Sequence, residues 1–526
     1  MRARARSLQM TDDNRRWWAL GAMCFALFMI MLDNTVVNVA LPSIQRSLHA
    51  STASLEWTVN AYTLSFAVLL VTGGRLGDLF GRRKVFLAGV IIFAASSAAI
   101  GFSPNDTWLV AWRAVQGAGA ALMMPATLSI ITNAFPAEER GRAIGTWAGV
   151  SALALAIGPV LGGFLVESVS WQSIFFINLP VAVAAVFVTL FAVVESRDET
   201  VARTVDLPGV ATLTVGLAAL VLALIEGNSW HWGSGREISL YATAAIGLGA
   251  FAVIETHRRV PMVDFRFFRS RTFLGANIVA FIVSFAMLAM FFFLALYMQN
   301  IRGYTPLQAG VRFLPSTLMI VLLAPVAGRL ADRVGPRPLM TAGLLSVSGA
   351  LFWQSSLTVS SSYGTLLPGF VLMGIGMAFV MSPMSTAAMN SVERTKAGVA
   401  SGILSMSRMV GGTFGVAVLG ALVSTLGSSK LQALLPHLPA GARDAVTAGL
   451  GSGGAAHGAP SRVVEAGHEA FVYALQNGLR LGAAVALAGA IVAWTMIGRE
   501  RAPKRVEADV PHVSPDAARA AETVQV

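Results

Sequence analysis

The sequence predicts an all-α integral membrane protein of fourteen spans, built as two six-helix bundles with two further spans inserted between them. Three observations carry this reading. The 526 residues are 55% hydrophobic and only 12% charged, about half the charged share of a soluble chain. Charge-sparse runs of the ~20 residues that cross a bilayer recur along nearly the whole length. Finally, Gly74-Arg-Leu-Gly-Asp-Leu-Phe-Gly-Arg-Arg83 returns 254 positions later as Gly328-Arg-Leu-Ala-Asp-Arg-Val-Gly-Pro-Arg337, with six identities in ten. A charged motif used twice between apolar runs marks an internal duplication, and parallel repeats are one build of rocking secondary transporters.

The basic start is followed by an apolar run too long for a signal peptide, so it reads as an uncleaved first span. The first bundle, residues 17–194, takes spans at 17–40, 55–73, 85–103, 107–133, 144–166 and 174–194. The insert, 207–255, takes 207–227 and 238–255. The second bundle, 273–497, takes 273–299, 308–328, 338–358, 364–390, 397–426 and 470–497, with an outside loop at 427–469. Residues 338–392 hold no charge and divide near Ser360–Tyr363. The motif copies follow spans 2 and 10, an offset of six spans plus two. Residues 1–16 and 498–526 are tails, the second charged and expected to be disordered.

The net charge of +11 is an orientation signal rather than a nucleic-acid footprint. With both tails on one side, 28 Lys/Arg fall on that side and six opposite. Positive residues mark the cytoplasmic face, so both termini are expected in the cytoplasm of a bacterial inner membrane.

The order of motifs resembles the fourteen-span drug:H+ antiporters of the major facilitator superfamily, the EmrB/QacA type. Leu32-Asp-Asn-Thr-Val-Val-Asn-Val-Ala-Leu-Pro42 looks like their span 1 signature, and Gly74–Arg83 looks like the superfamily's loop 2–3 motif. Arg113-Ala-Val-Gln-Gly-Ala-Gly119 is similar to the conserved-arginine motif. Gly149 with Gly158-Pro159-Val-Leu-Gly162-Gly163 is similar to the antiporter motif. Phe176–Pro180 and Ala400-Ser-Gly402 with Arg408 and Gly411-Gly412 fit the fourteen-span branch. The resemblance implies a major facilitator fold, no enzymatic activity and no cofactor beyond a proton gradient. The chain departs at Gln172, where the family usually has a basic residue, and at Glu56, often an uncharged amide.

An exporter needs an energy source. None of the four lysines follows a glycine, so there is no Walker A loop and ATP is not the direct source. A proton crossing ~150 mV releases roughly 3.5 kcal/mol. Cys24 is alone and the seven histidines lie outside the spans or at their edges, so neither a disulfide, a histidine relay nor a metal site is expected. Among the acids only Asp33 lies well inside a span; Glu226 and Glu56 sit near outer ends and read first as interfacial carboxylates. At ~1.5 Å per residue, Asp33 and Arg113 fall at similar depth. Their approach would hold Asp33 ionised, and their separation would let desolvation favour its protonation. Asn34 and Gln116 flank this pair in sequence. A static pair fixing helix packing is the alternative, weakened because buried ion pairs contribute little as pure glue.

Gly74, Asp78, Gly81, Arg82 and Arg83, with the repeated Asp332, form the expected conformational switch: glycines for tight turns, Asp78 to cap the following cytoplasmic helical segment or to pair with arginines of the neighbouring half; a simple topogenic basic loop is the alternative, weakened by the repeated Asp332. Gly149, Gly158, Gly162 and Gly163 give span 5 a small-residue face, and Pro159 removes a backbone hydrogen bond, so hinge and plain packing both remain open. Arg408 is the matching candidate in the second bundle. Clustered methionines and phenylalanines from Met287 to Met389, together with Trp57 and Tyr62, suit adaptable lipophilic cargo, although most are expected to face lipid or other helices.

The leading expectation is a proton-driven exporter of hydrophobic, often cationic drugs or toxic metabolites. The alternatives are a dedicated exporter of one metabolite, lipid, siderophore or self-made antibiotic, and a non-transporting receptor. Partners are the lipid bilayer, protons and small molecules. Nucleic acid is not expected, and no residue points to a periplasmic adaptor, though one is compatible.

Overall fold

In hydrocarbon, backbone N–H and C=O groups must be satisfied within their own segment, and each apolar stretch accordingly forms a helix. The computed structural model describes residues 12–50, 52–197, 206–258, 261–439 and 460–498. The helices are α1 Asp12–Leu48, α2 Thr52–Phe80, α3 Arg82–Gly101, α4 Asp106–Ala134, α5 Ala137–Ser168 and α6 Asn178–Ala192, the last preceded by one turn at Ser173–Phe176. Then follow α7 Leu207–Trp230, α8 Gly235–His257, a short 3-10 segment Phe265–Arg269, α9 Arg271–Leu296 and α10 Pro306–Val334. The chain continues as α11 Pro336–Gln354, α12 Tyr363–Asn390, α13 Ala397–Leu434 and α14 Ser461–Met496. No strand occurs among the described residues. Twelve helical segments of the described residues are long and apolar enough to cross a membrane. The long helices outside that number are α5, which opens on Ala-Glu-Glu-Arg-Gly-Arg and is rich in glycine and alanine, and α11, which is short and opens on Pro-Arg-Pro.

Several helices outrun the predicted spans. α2 stays helical through Phe80, so Gly74 and Gly77 are helical residues rather than turn residues. The expected hairpin shrinks to the single residue Gly81, whose φ of 113° is a backbone state that L side chains rarely adopt; Gly335, at φ 93°, repeats the device between α10 and α11. The expected outside loop is shorter at both ends, since α13 runs to Leu434 and α14 starts at Ser461. Residues 440–459, the first eleven residues and the tail from 499 lie outside the described residues.

The two bundles meet along α5–α10 and α2–α13, while α7 and α8 pair with each other and α7 touches both α2 and α13. The meeting is backbone to backbone at the end that carries Arg82 and Arg83. A Cβ on Gly74 would collide with the Gly398 carbonyl oxygen, and one on Gly328 with that of Gly141. Further along, the same helices turn their glycines to their own bundle. Gly158 and Gly162 of α5 abut Thr35 and Val36 of α1, and Gly411 and Gly415 of α13 abut Phe281 and Phe285 of α9. The bundles are thus stitched together through glycines at the basic end. Gly149 sits between these zones, near Val321, and Gly163 faces open space, so the predicted small-residue face does not include Gly163. The helix continues through Pro159, whose side chain lies outside the described residues.

Gly328→Ala is expected to overpack the α5–α10 seam, costing about 1–3 kcal/mol and lowering the unfolding midpoint of the detergent-purified protein. Gly163→Ala should leave the midpoint unchanged. Equal behaviour of the two would contradict the close approach described here.

Candidate functional site

Asp33 lies mid-helix in α1 and is fully buried. Its Oδ2 accepts from Arg113 Nη1 at 2.5 Å, and its Oδ1 accepts from Gln116 Nε2 at 3.0 Å and Asn178 Nδ2 at 3.2 Å. Arg113 also donates to Gln116 Oε1 at 2.6 Å and to the Thr58 carbonyl at 2.9 Å. Ser97 Oγ accepts from both Gln116 and Asn178, at 2.8 and 3.2 Å. The Tyr62 ring lies over the Arg113 guanidinium, 4.3 Å from its carbon. The spacing i, i+3 puts Arg113 and Gln116 on one face of α4, while α1, α3 and α6 bring the rest. Such a matched network is the condition under which two charges tolerate burial.

Chemically, the arrangement holds an ionised carboxylate with two amides and one cation. Tyr62 is fully buried and stacks on Arg113, so it does not stand ready to stack on cargo.

The second construction gathers the residues expected to form the switch. Asp78, fully buried, accepts from Gly398 N at 3.0 Å and Val399 N at 2.9 Å, the first turn of α13. It also accepts from Arg82 Nε at 3.0 Å and Nη2 at 2.6 Å. Arg82 Nη2 goes on to the Arg394 and Thr395 carbonyls at 2.8 and 2.6 Å. A carboxylate at a helix start and a cation on the preceding carbonyls agree with the local dipoles. In the repeat, Asp332 accepts from Gly141 N at 3.2 Å, but Pro336 stands where Arg82 would be. Arg83 donates to the Leu190 carbonyl at 3.0 Å, and Glu195 accepts from the Arg83 and Lys84 amides. Arg140 adds a bond between the bundles, to Asn390 Oδ1 at 2.6 Å.

The remaining predicted residues do not join the Asp33 network. Asn34 is half-buried and donates to the Ile30 carbonyl. Glu226 is buried in α7, and Glu56 belongs to α2 with its side chain outside the described residues. Arg408 of α13 donates to Ser405 at 3.4 Å and lies over the Trp147 ring of α5 at 5.8 Å, reaching across to the other bundle. Met290, Met298, Met373, Met377, Met384 and Met389 are core residues at 1% exposure or less. Sequence reasoning missed Asn178, Ser97, Glu195 and Arg140. Of these only Asn178 gave a signal, as the polar centre of Phe176–Pro180.

Two outcomes test these networks. Arg113→Met should leave Asp33 buried and unpaired, a loss of roughly 3–5 kcal/mol seen as a lower unfolding midpoint, and adding Asp33→Asn should restore most of it. Asp78→Asn should raise labelling of a cysteine placed at Thr395 more than Asp332→Asn does at Ala137, because only Asp78 holds an arginine as well. Equal labelling would contradict the unequal latches.

The chain matches the family model described as Major Facilitator Superfamily over residues 23–416. It is 35% identical over 492 residues to the tetracenomycin C resistance and export protein of Streptomyces glaucescens, covering 91% of each chain. It is 39% identical over 422 residues to the multidrug resistance protein Stp of Mycobacterium tuberculosis (strain CDC 1551 / Oshkosh), covering 80% of this chain and 78% of that one. Among solved structures, the proton:xylose symporter XylE aligns with TM-score 0.61 and 13% identity over 93% of this chain and 97% of that one, a likeness of fold. The chain belongs to the Major Facilitator Superfamily and is a membrane transporter.

Proposed function

We propose that the protein is a proton-driven antiporter that exports hydrophobic, often cationic drugs or toxic metabolites by alternating access. Its fourteen helices would all span a bacterial inner membrane, with both termini cytoplasmic. The observation that carries the reading is Asp33, a fully buried mid-helix carboxylate held by Arg113 at 2.5 Å. A proton delivered to Asp33 would remove its charge and release Arg113. A cationic cargo would compete with that proton for the same carboxylate, so the two are carried in turn.

The closed basic end supports an outward-facing state in this orientation. The Asp78–α13 latch and the Gly74/Gly398 and Gly141/Gly328 contacts lie on the cytoplasmic side. Opening inward would require Asp78 to leave two backbone donors and Arg82, a switch between discrete arrangements. Arg408, aimed at Trp147, is the second bundle's contribution facing the first. The relatives' names include both a single-antibiotic exporter and a multidrug protein, and the breadth of cargo is assigned here to the multidrug class.

Asp33→Asn is expected to abolish proton-driven drug uptake into energised inside-out vesicles and to cancel proton release when a cationic dye is added to purified protein, with insertion unchanged. Dye extrusion by that variant at the wild-type rate would refute the assignment. Resistance to a single compound in a panel of unrelated dyes and antibiotics would replace the multidrug reading by a dedicated exporter.

A further inference from the structure

The segment that leads from the inserted helices back to the second bundle folds over the basic ends of α2 and α13. Together they wall a cavity of about 670 Å³. Five cations line it, Arg75, Arg258, Arg266, Arg269 and Lys396, against three acids. Two of the cations are matched: Lys396 Nζ lies 3.1 Å from Asp264 Oδ2, and Arg258 pairs with Asp206 at 3.3 Å. Burial pushes the Asp264 carboxyl up, but bonds from the Arg266 amide and the Lys396 ammonium outweigh it and leave Asp264 below the usual carboxylate range. That pair is therefore already neutral as a unit.

Arg75 is different. It is only 9% exposed, yet it makes no hydrogen bond or ion pair with a described residue, and it meets the Glu255 charge only at longer range. Its counterpart in the repeat, Arg329, is exposed. Among the described residues no segment folds over Arg329. The insert has thus roofed over a guanidinium that the bare repeat leaves in solvent. A buried cation without a partner is costly, and an anion arriving from outside removes the cost. The planar fork of arginine suits bidentate phosphate oxygens. The exposed Arg266 and Arg269 stand on the 3-10 segment at the cavity's edge, at the end of the molecule that meets anionic headgroups.

We propose that this cavity binds a net-anionic phosphate group, with Arg75 as its inner ligand and Arg269 and Arg266 as the outer ones. The chemistry is shared by the headgroup of an anionic phospholipid and by a soluble organophosphate. Val399, whose amide donates to Asp78, also lines the cavity. A bound phosphate therefore ties α2 to the 3-10 segment beside the latch. The site is separate from Asp33 and holds whether or not transport is coupled to protons.

The full chain in neutral detergent is titrated at fixed ionic strength with short-chain phosphatidylglycerol, short-chain phosphatidylcholine and glycerol phosphate, and the unfolding midpoint is read. A saturable rise with phosphatidylglycerol and none with phosphatidylcholine is expected. Arg75→Gln should weaken the apparent Kd at least about tenfold, Arg269→Gln should weaken it less, and Arg329→Gln should not change it. A matching response to glycerol phosphate assigns the soluble source, and a response confined to phosphatidylglycerol assigns the lipid. No saturable rise with either phosphate compound, or an Arg75→Gln affinity equal to wild type, overturns the proposal. If Arg75→Gln does not fold, an unchanged affinity in Arg269→Gln, at an exposed position, overturns it instead.

Discussion

An ionised carboxylate sunk in hydrocarbon must have its lone pairs matched by donors, and Asp33 imposes that demand on the first bundle. The answer comes from every side. α4 supplies a guanidinium and an amide, α6 an amide, α3 the hydroxyl that holds both amides, and α2 the carbonyl and the ring that steady Arg113. One acid thereby fixes the mutual rotation of five helices. An apolar core of the same volume would hold them at least as firmly.

Much of this was legible in the sequence. Apolar runs are long and charge-sparse because the bilayer demands it, and the repeat is visible because the same glycine turn and the same carboxylate-to-glycine-amide contact are built twice. Asp33 and Arg113 could be matched by depth, since helical rise converts residue number into height. Their partners could not. Ser97 and Asn178 are small polar residues of a kind common in membrane helices, and nothing local marks them as bonded to a distant acid. The latch was half legible. Asp78 was expected to cap the next segment or meet an arginine of the neighbouring half; it pairs instead with Arg82 of its own half and caps α13 of the other, because the Gly398 and Val399 amides that complete the site lie 320 and 321 positions away and carry no side-chain signature. Tyr62 was misread because stacking on a ligand and stacking on Arg113 leave the same trace in sequence. Gly163 was misread because a run of glycines does not say which of them faces a neighbour.

The two halves share a scaffold without sharing its chemistry. Asp78 and Asp332 each reach the amide of a glycine on the opposite bundle. Only the first is braced by an arginine, because Pro336 replaces Arg82. The seam on the α2–α13 side is therefore ionic, while that on the α5–α10 side relies on backbone closeness and on the neutral end of the Arg140–Asn390 bond.

The inserted pair breaks the symmetry further. α7 rests on α2 and α13 at once, one helix from each half, and α12 likewise touches both α5 and α10. α7 thus straddles the α2–α13 seam like a strap nailed to two boards, and any change in the spacing of those two helices has to alter at least one of its contacts.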